Sequence, residues 1–194
     1  MRHLKTAASA TALTLGLTGS VFAADVSKEA VLTTYADIAA AKYADSLTTA
    51  QTLKAAVDAL IADPSDTTLQ AAKDAWLAAR VPYQQTEGYR FGNAVVDDWE
   101  GKVNAWPLDE GLIDYVDGSY GGPTDENEFA ALNVVANPTF TLSGEEIDAT
   151  DITPELLSDT LHEADGVEAN VATGYHAIEF LLWGQDLNGH EAGA

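Results

Sequence analysis

The 194-residue chain contains no cysteine, which excludes a disulfide framework, an acylated thiol anchor and any thiolate metal ligand. A metal site would have to be built from nitrogen and oxygen, donors that suit iron, zinc, manganese or calcium better than copper(I). Basic residues are also scarce: 9 Lys and Arg stand against 31 Asp and Glu, a formal charge of −22. That balance opposes sequence-independent binding to nucleic acid or to an anionic membrane and makes cations the natural partners. No apolar run approaches the ~20 residues of a membrane-spanning helix. Strand-type alternation of Val, Ile, Thr and aromatic residues is missing over any convincing length, so the class read from the sequence is all-α. No internal repeat is visible.

What is present begins with an address. "MRHLKTAASATALTLGLTGSVFAAD" places Arg2 and Lys5 ahead of a mildly apolar stretch and small residues before a cleavage point, the layout of a secretory signal. Cleavage after Ala23 or Ala24 is expected, giving a signal peptide over 1–24 and a helical domain over 25–194. Losing Arg2 and Lys5 takes the charge to about −24. The apolar stretch is short and interrupted by threonines, so no transmembrane anchor is expected in the mature chain.

One long helix is expected from Val26 to Ala62, because Val31, Tyr35, Ile38, Tyr43, Leu47, Leu53, Val57 and Leu60 recur at the helical period. "DPSD" at 63–66 ends it. A second helix is expected from Thr67, an N-cap candidate, with Leu69, Ala72, Trp76 and Ala79 on one face and a kink or break at Pro82. Between Gly92 and Thr153 the regular signals fade, with short helices expected at 108–116 and 125–136. Thr153 and Pro154 mark a further helix start. A last helix is expected from Val167 to Trp183, ended by Gly184.

That last helix carries "GYHAIEFLLWGQDL" at 174–187. On a helical wheel His176, Glu179 and Trp183 share one face, while Val171, Ile178, Leu181 and Leu182 lie opposite, toward the expected core. Ala172 and Thr173, small helical neighbours of His176, leave room beside it. An imidazole and a carboxylate three residues apart can reach one point, as helical carboxylate-histidine elements do in metal-binding bundles, and two such ligands need others from elsewhere. The same pattern is also compatible with a plain hydrogen bond or ion pair. Of the other histidines, His162 in "DTLHEAD" reads as a solvated helix end, His190 lies in the tail and His3 in the address.

"GYHAIEFLLWGQDL" resembles the Gly-x-His-x-x-Glu signature of the imelysin-like family, also classed as peptidase family M75, with Gly174, His176 and Glu179 at the motif positions. "AWLAARVPYQQTEGYRFG" at 75–92 and "NAWPLDEGLIDYVDG" at 104–118 are similar to two other family blocks, in family order. The resemblance implies a helical-bundle protein exported to the bacterial periplasm or cell envelope and associated with iron uptake, with the His/Glu motif as its metal or functional site. Members are longer, with a second bundle, so the chain is expected to be an amino-terminal half, a truncated gene product or a fragment. Candidate ligands are His176 and Glu179, with Glu87 or Asp109 as added oxygen donors and an iron or other metal ion as cargo. An outer-membrane receptor or uptake component is the expected partner. Arg90 is expected to pair with Glu87 or Asp109. Trp76, Tyr83, Trp106 and Trp183 read as core or groove lining. Two other functions stay open: an M75-type metallopeptidase, for which no His-Glu-x-x-His helix is present, and a module binding haem or a partner protein through the aromatic blocks.

Overall fold

The computed structural model describes residues 26–187, so the signal-peptide reading, His3 and His190 lie outside the described residues. Five α-helices carry the fold: α1 (Lys28–Ala62), α2 (Asp66–Gln84), α3 (Ala94–Val103), α4 (Glu110–Ile113) and α5 (Gly174–Trp183). The all-α expectation holds, with one addition, an antiparallel hairpin of β1 (Thr139–Leu142) and β2 (Glu145–Asp148) pairing Phe140 with Ile147. Ser143 and Gly144, both at positive φ, form the two-residue turn that such hairpins favour. Phe140 and Leu142 alternate inward and pack on an apolar cluster around Leu112, Phe129 and Leu161.

The long first helix begins where Ser27 accepts a hydrogen bond from the Ala30 N–H, two residues after the expected start. Its apolar stripe is only partly used. Leu53 is buried against α2, with Val57 and Leu60 packed beside it, whereas Val31, Tyr35, Ile38 and Leu47 are about half exposed or more. The second helix is capped by Ser65 rather than Thr67, because the Ser65 side chain takes the Thr68 N–H and the Thr68 hydroxyl takes the Ser65 N–H in return. It runs through Pro82 to Gln84 without a break. Proline forfeits one hydrogen bond there, near the helix end, while Ala72, Trp76, Ala79 and Tyr83 stay on the buried face.

The middle of the chain departs furthest from the expectations. Only Glu110–Ile113 of the region 108–116 is helical, and 125–136 forms turns. Thr153 does cap the next element, its hydroxyl accepting from the Leu156 N–H at 3.1 Å, but Leu156–Leu161 closes as a π-helix, the His162 N–H reaching back to the Leu157 carbonyl. The last helix starts at Gly174, seven residues later than expected. The buried Asn170 explains the delay: it donates to the Ala164 carbonyl and accepts from Asn127, and the Ala169 carbonyl is taken by the Asp109 N–H. Those bonds commit the 164–171 segment to a fold that a helix would break. Gly184, at φ 75°, ends α5 as expected.

This helix lies at the junction of the molecule. Tyr175 and Leu182 pack into the α1/α2 core, Ala177 and Phe180 into a second cluster with Leu108 and Ile113. The Trp76 indole donates to the Tyr175 carbonyl at 2.9 Å, fixing α2 to the first turn of α5. Leu181, assigned to the core by the wheel, is exposed, and Phe180 is buried instead, because apolar material reaches α5 from two directions. No described helix is long and apolar enough to cross a membrane.

Candidate functional site

The start of α5 is set by contact with the end of α3. Gly174 has φ +88°, and a Cβ there would lie 2.5 Å from the Val103 carbonyl oxygen. Only glycine fits that approach. Thr173 reinforces it, its hydroxyl donating to the Lys102 carbonyl at 2.8 Å. Ala172 and Thr173 therefore precede the helix and do not form the lateral space beside His176. His162, expected in solvent, is half-buried with Nδ1 3.3 Å from the Thr173 oxygen, and burial lowers its pKa.

Two residues into the helix, His176 faces a cleft of about 320 Å³ lined by Trp106, Leu108, Glu110, Glu179, Phe180 and Trp183, with Gln185 and Asp186 at the chain exit. Its imidazole Nδ1 lies 3.0 Å from Glu179 Oε2. The Trp106 ring covers the imidazole at 4.9 Å between centroids, tilted by 58°. The side chain of His176 is 19% exposed and that of Glu179 is 42% exposed, so the imidazole is held while the carboxylate meets water. Across the cleft Glu110 begins α4. Its carboxyl pKa is raised, first by burial and then by the charge of Glu179. The Tyr120 hydroxyl steadies this turn, close to the Glu110 N–H at 3.4 Å and to the Leu108 carbonyl at 3.3 Å. The Asp117 N–H donates to Gln185, tying the far end of α5 to the same loop.

Of the four candidate donors, the structure brings together His176 and Glu179 and leaves the other two outside the cleft. Glu87 is exposed on a short turn beyond α2, beside Tyr43 and Tyr83. Asp109 precedes Glu110 but points into the fold, accepting from Asn127 at 2.6 Å, and Asn127 in turn donates to Asn170. Asp109 thus holds the loop that carries Glu110. Arg90 pairs with neither expected acid; it binds Asp97 at 2.8 Å and Glu100 at 3.1 Å, since α3 lies within its reach. Trp106 and Trp183 line the groove, whereas Trp76 and Tyr83 are core. Glu110, rather than the expected Asp109, is the acid of the 104–118 block that lines the cleft. The acidic pair in "WPLDEG" was the available signal, but which acid turns to the cleft depends on the Asn127–Asn170 contact.

The lining of the cleft is acidic. One imidazole and the carboxylates of Glu110, Glu179 and Asp186 line it, and among the described residues no Lys or Arg does. Hard and borderline ions take such nitrogen and oxygen donors. Among the described residues no three His, Asp or Glu side chains stand close enough to hold an ion between them. His176 and Glu179 thus stand in the structure as a hydrogen-bonded pair.

Residues 39–194 match a family described as Imelysin, peptidase M75. A segment of 46 residues is 39% identical to iron-regulated protein A of Synechococcus elongatus, covering 24% of this chain and 13% of that protein.

Proposed function

The chain belongs to the imelysin family, and on that premise we propose that it is an exported protein that binds an iron ion in the His176 cleft and serves bacterial iron acquisition. The observation that carries this reading is electrostatic. Glu110 and Glu179 line one partly dry cleft that holds no Lys or Arg among the described residues, and burial, with the Glu179 charge added, raises the Glu110 pKa. Like charges so placed cost free energy, and a bound cation removes that cost. His176 supplies the nitrogen donor, and the cleft carboxylates supply negative charge. The name of the cyanobacterial relative supports iron as the ion, and the segment 1–24 supports export to the periplasm or cell envelope. Handing the ion to an outer-membrane receptor or other uptake component would complete that role.

Calorimetry on residues 25–194 tests the reading. Ferrous, ferric or zinc ion should bind saturably, and the combined His176→Ala and Glu179→Ala substitutions should abolish it. Binding unchanged in that variant would overturn the proposal. Peptide hydrolysis rests on the family's second name; protein substrates left uncleaved with each of these metals supplied would dispose of it.

A further inference from the structure

We infer that Glu179 acts through His176 rather than beside it: the carboxylate holds Nδ1–H, so Nε2 is the nitrogen offered to a cation. This rests on the reading of the cleft as a cation site and assigns the parts within it. An ionised carboxylate can only accept, so the 3.0 Å contact between Glu179 Oε2 and Nδ1 places the ring proton on Nδ1. The lone pair then sits on Nε2. Metal-binding histidines commonly give their other N–H to a carboxylate, which fixes the ring and makes the free nitrogen a better donor.

The surroundings favour this division. The imidazole is the more buried partner and is packed under Trp106, so its plane is fixed before any ion arrives. Glu179 is the wetter group and spends its near oxygen on the imidazole. Binding an ion at Nδ1 would break a charge-assisted hydrogen bond, whereas binding at Nε2 keeps it. A separation of 3.0 Å would also suit two donors sharing one ion at about 2.1 Å each. The nitrogen that carries the ion separates the two arrangements.

The test uses residues 25–194 labelled with ¹⁵N-histidine at pH 8, zinc ion alone as the probe, and His176→Ala to assign the resonance. Without metal, His176 should show the Nδ1–H tautomer in the wild type and in Glu179→Gln, whose amide oxygen accepts the same bond. Glu179→Ala should release the ring to a mixture of tautomers. With zinc, Nε2 should shift while Nδ1 keeps its proton. Zinc affinity should fall on the order of 10–100-fold in Glu179→Ala and by less in Glu179→Gln, which keeps the hydrogen bond and loses only the charge. A zinc-shifted Nδ1, an Nε2–H tautomer in the metal-free protein, or equal losses in the two variants would overturn the inference. No zinc-dependent shift in the wild type would instead overturn the cation reading itself, since the metal-free tautomer is measured separately.

Discussion

Replacing Gly174 by alanine is the substitution whose cost the structure defines best. The residue sits at φ +88°, and a Cβ would meet the Val103 oxygen at 2.5 Å, the Val103 carbonyl carbon at 2.7 Å and the Lys102 oxygen at 3.0 Å. All three are backbone atoms that no side-chain rotation can move aside. The left-handed conformation costs an alanine about 1–2 kcal/mol, and forcing extra volume into a packed contact costs about 1–3 kcal/mol more. The sum is on the order of 2–5 kcal/mol, a large part of a domain's stability. Relieving the clash would also lift the first turn of α5 from α3, weakening the Thr173 bond to the Lys102 carbonyl and moving His176 from Trp106. Urea unfolding followed by tryptophan fluorescence measures the effect, with the midpoint falling by on the order of 1–2 M at an unchanged slope. Two internal controls separate the causes. Gly184→Ala, at φ +75° and ψ −171° with no atom within 4 Å, carries a conformational cost of its own without a clash, and Gly101→Ala, inside α3 with open space around it, should stabilise by roughly 1 kcal/mol. A Gly174→Ala protein no less stable than Gly184→Ala would refute the steric argument.

Glu110→Gln should stabilise the metal-free protein at neutral pH and weaken its ion binding. A carboxyl whose pKa is raised in the fold binds protons more readily folded than unfolded, so its ionisation costs stability as pH rises above its unfolded value, about 4.3. The gap in thermal midpoint between variant and wild type should therefore close as the pH falls toward 4; a gap independent of pH would contradict the assignment. His162 acts in the opposite direction. Its pKa is lowered by burial, so the unfolded chain takes the proton first and stability falls as pH drops through about 6.5. His162→Gln should flatten that part of the curve, and an unaltered slope would show that burial of His162 does not set it.

Much of the helical frame was legible because it is written locally. The apolar spacing of α1 and α2, and the placement of His176, Glu179 and Trp183 on one face of α5, follow from a period of 3.6 residues. Most of the stretch from Asn104 to Thr173, the Thr153 cap and the turn of helix at Glu110–Ile113 apart, was not legible, because its structure is fixed by contacts distant in sequence. Asn127, Asn170 and Asp109 form one hydrogen-bonded knot, which with the Asp109 N–H bond to the Ala169 carbonyl and the Tyr120 hydroxyl sets Asp109 inward and Glu110 toward the cleft. The hairpin escaped notice since four-residue strands give only two alternations each, too few to stand out from loop. The wheel failed at Leu181 for a related reason: a helix packed from two directions has no single apolar side.

The central claim is that the cleft of His176 and Glu110, rather than the acidic surface at large, binds the ion. Anaerobic equilibrium dialysis of ferrous iron against residues 25–194 tests it most directly, comparing wild type with His176→Ala, Glu110→Gln and Glu87→Gln. The account predicts one saturable ion in the wild type, lost with His176, weakened with Glu110 and unchanged with Glu87, which lies outside the cleft. Binding that survives the loss of His176, or that falls equally in all three variants, would contradict it.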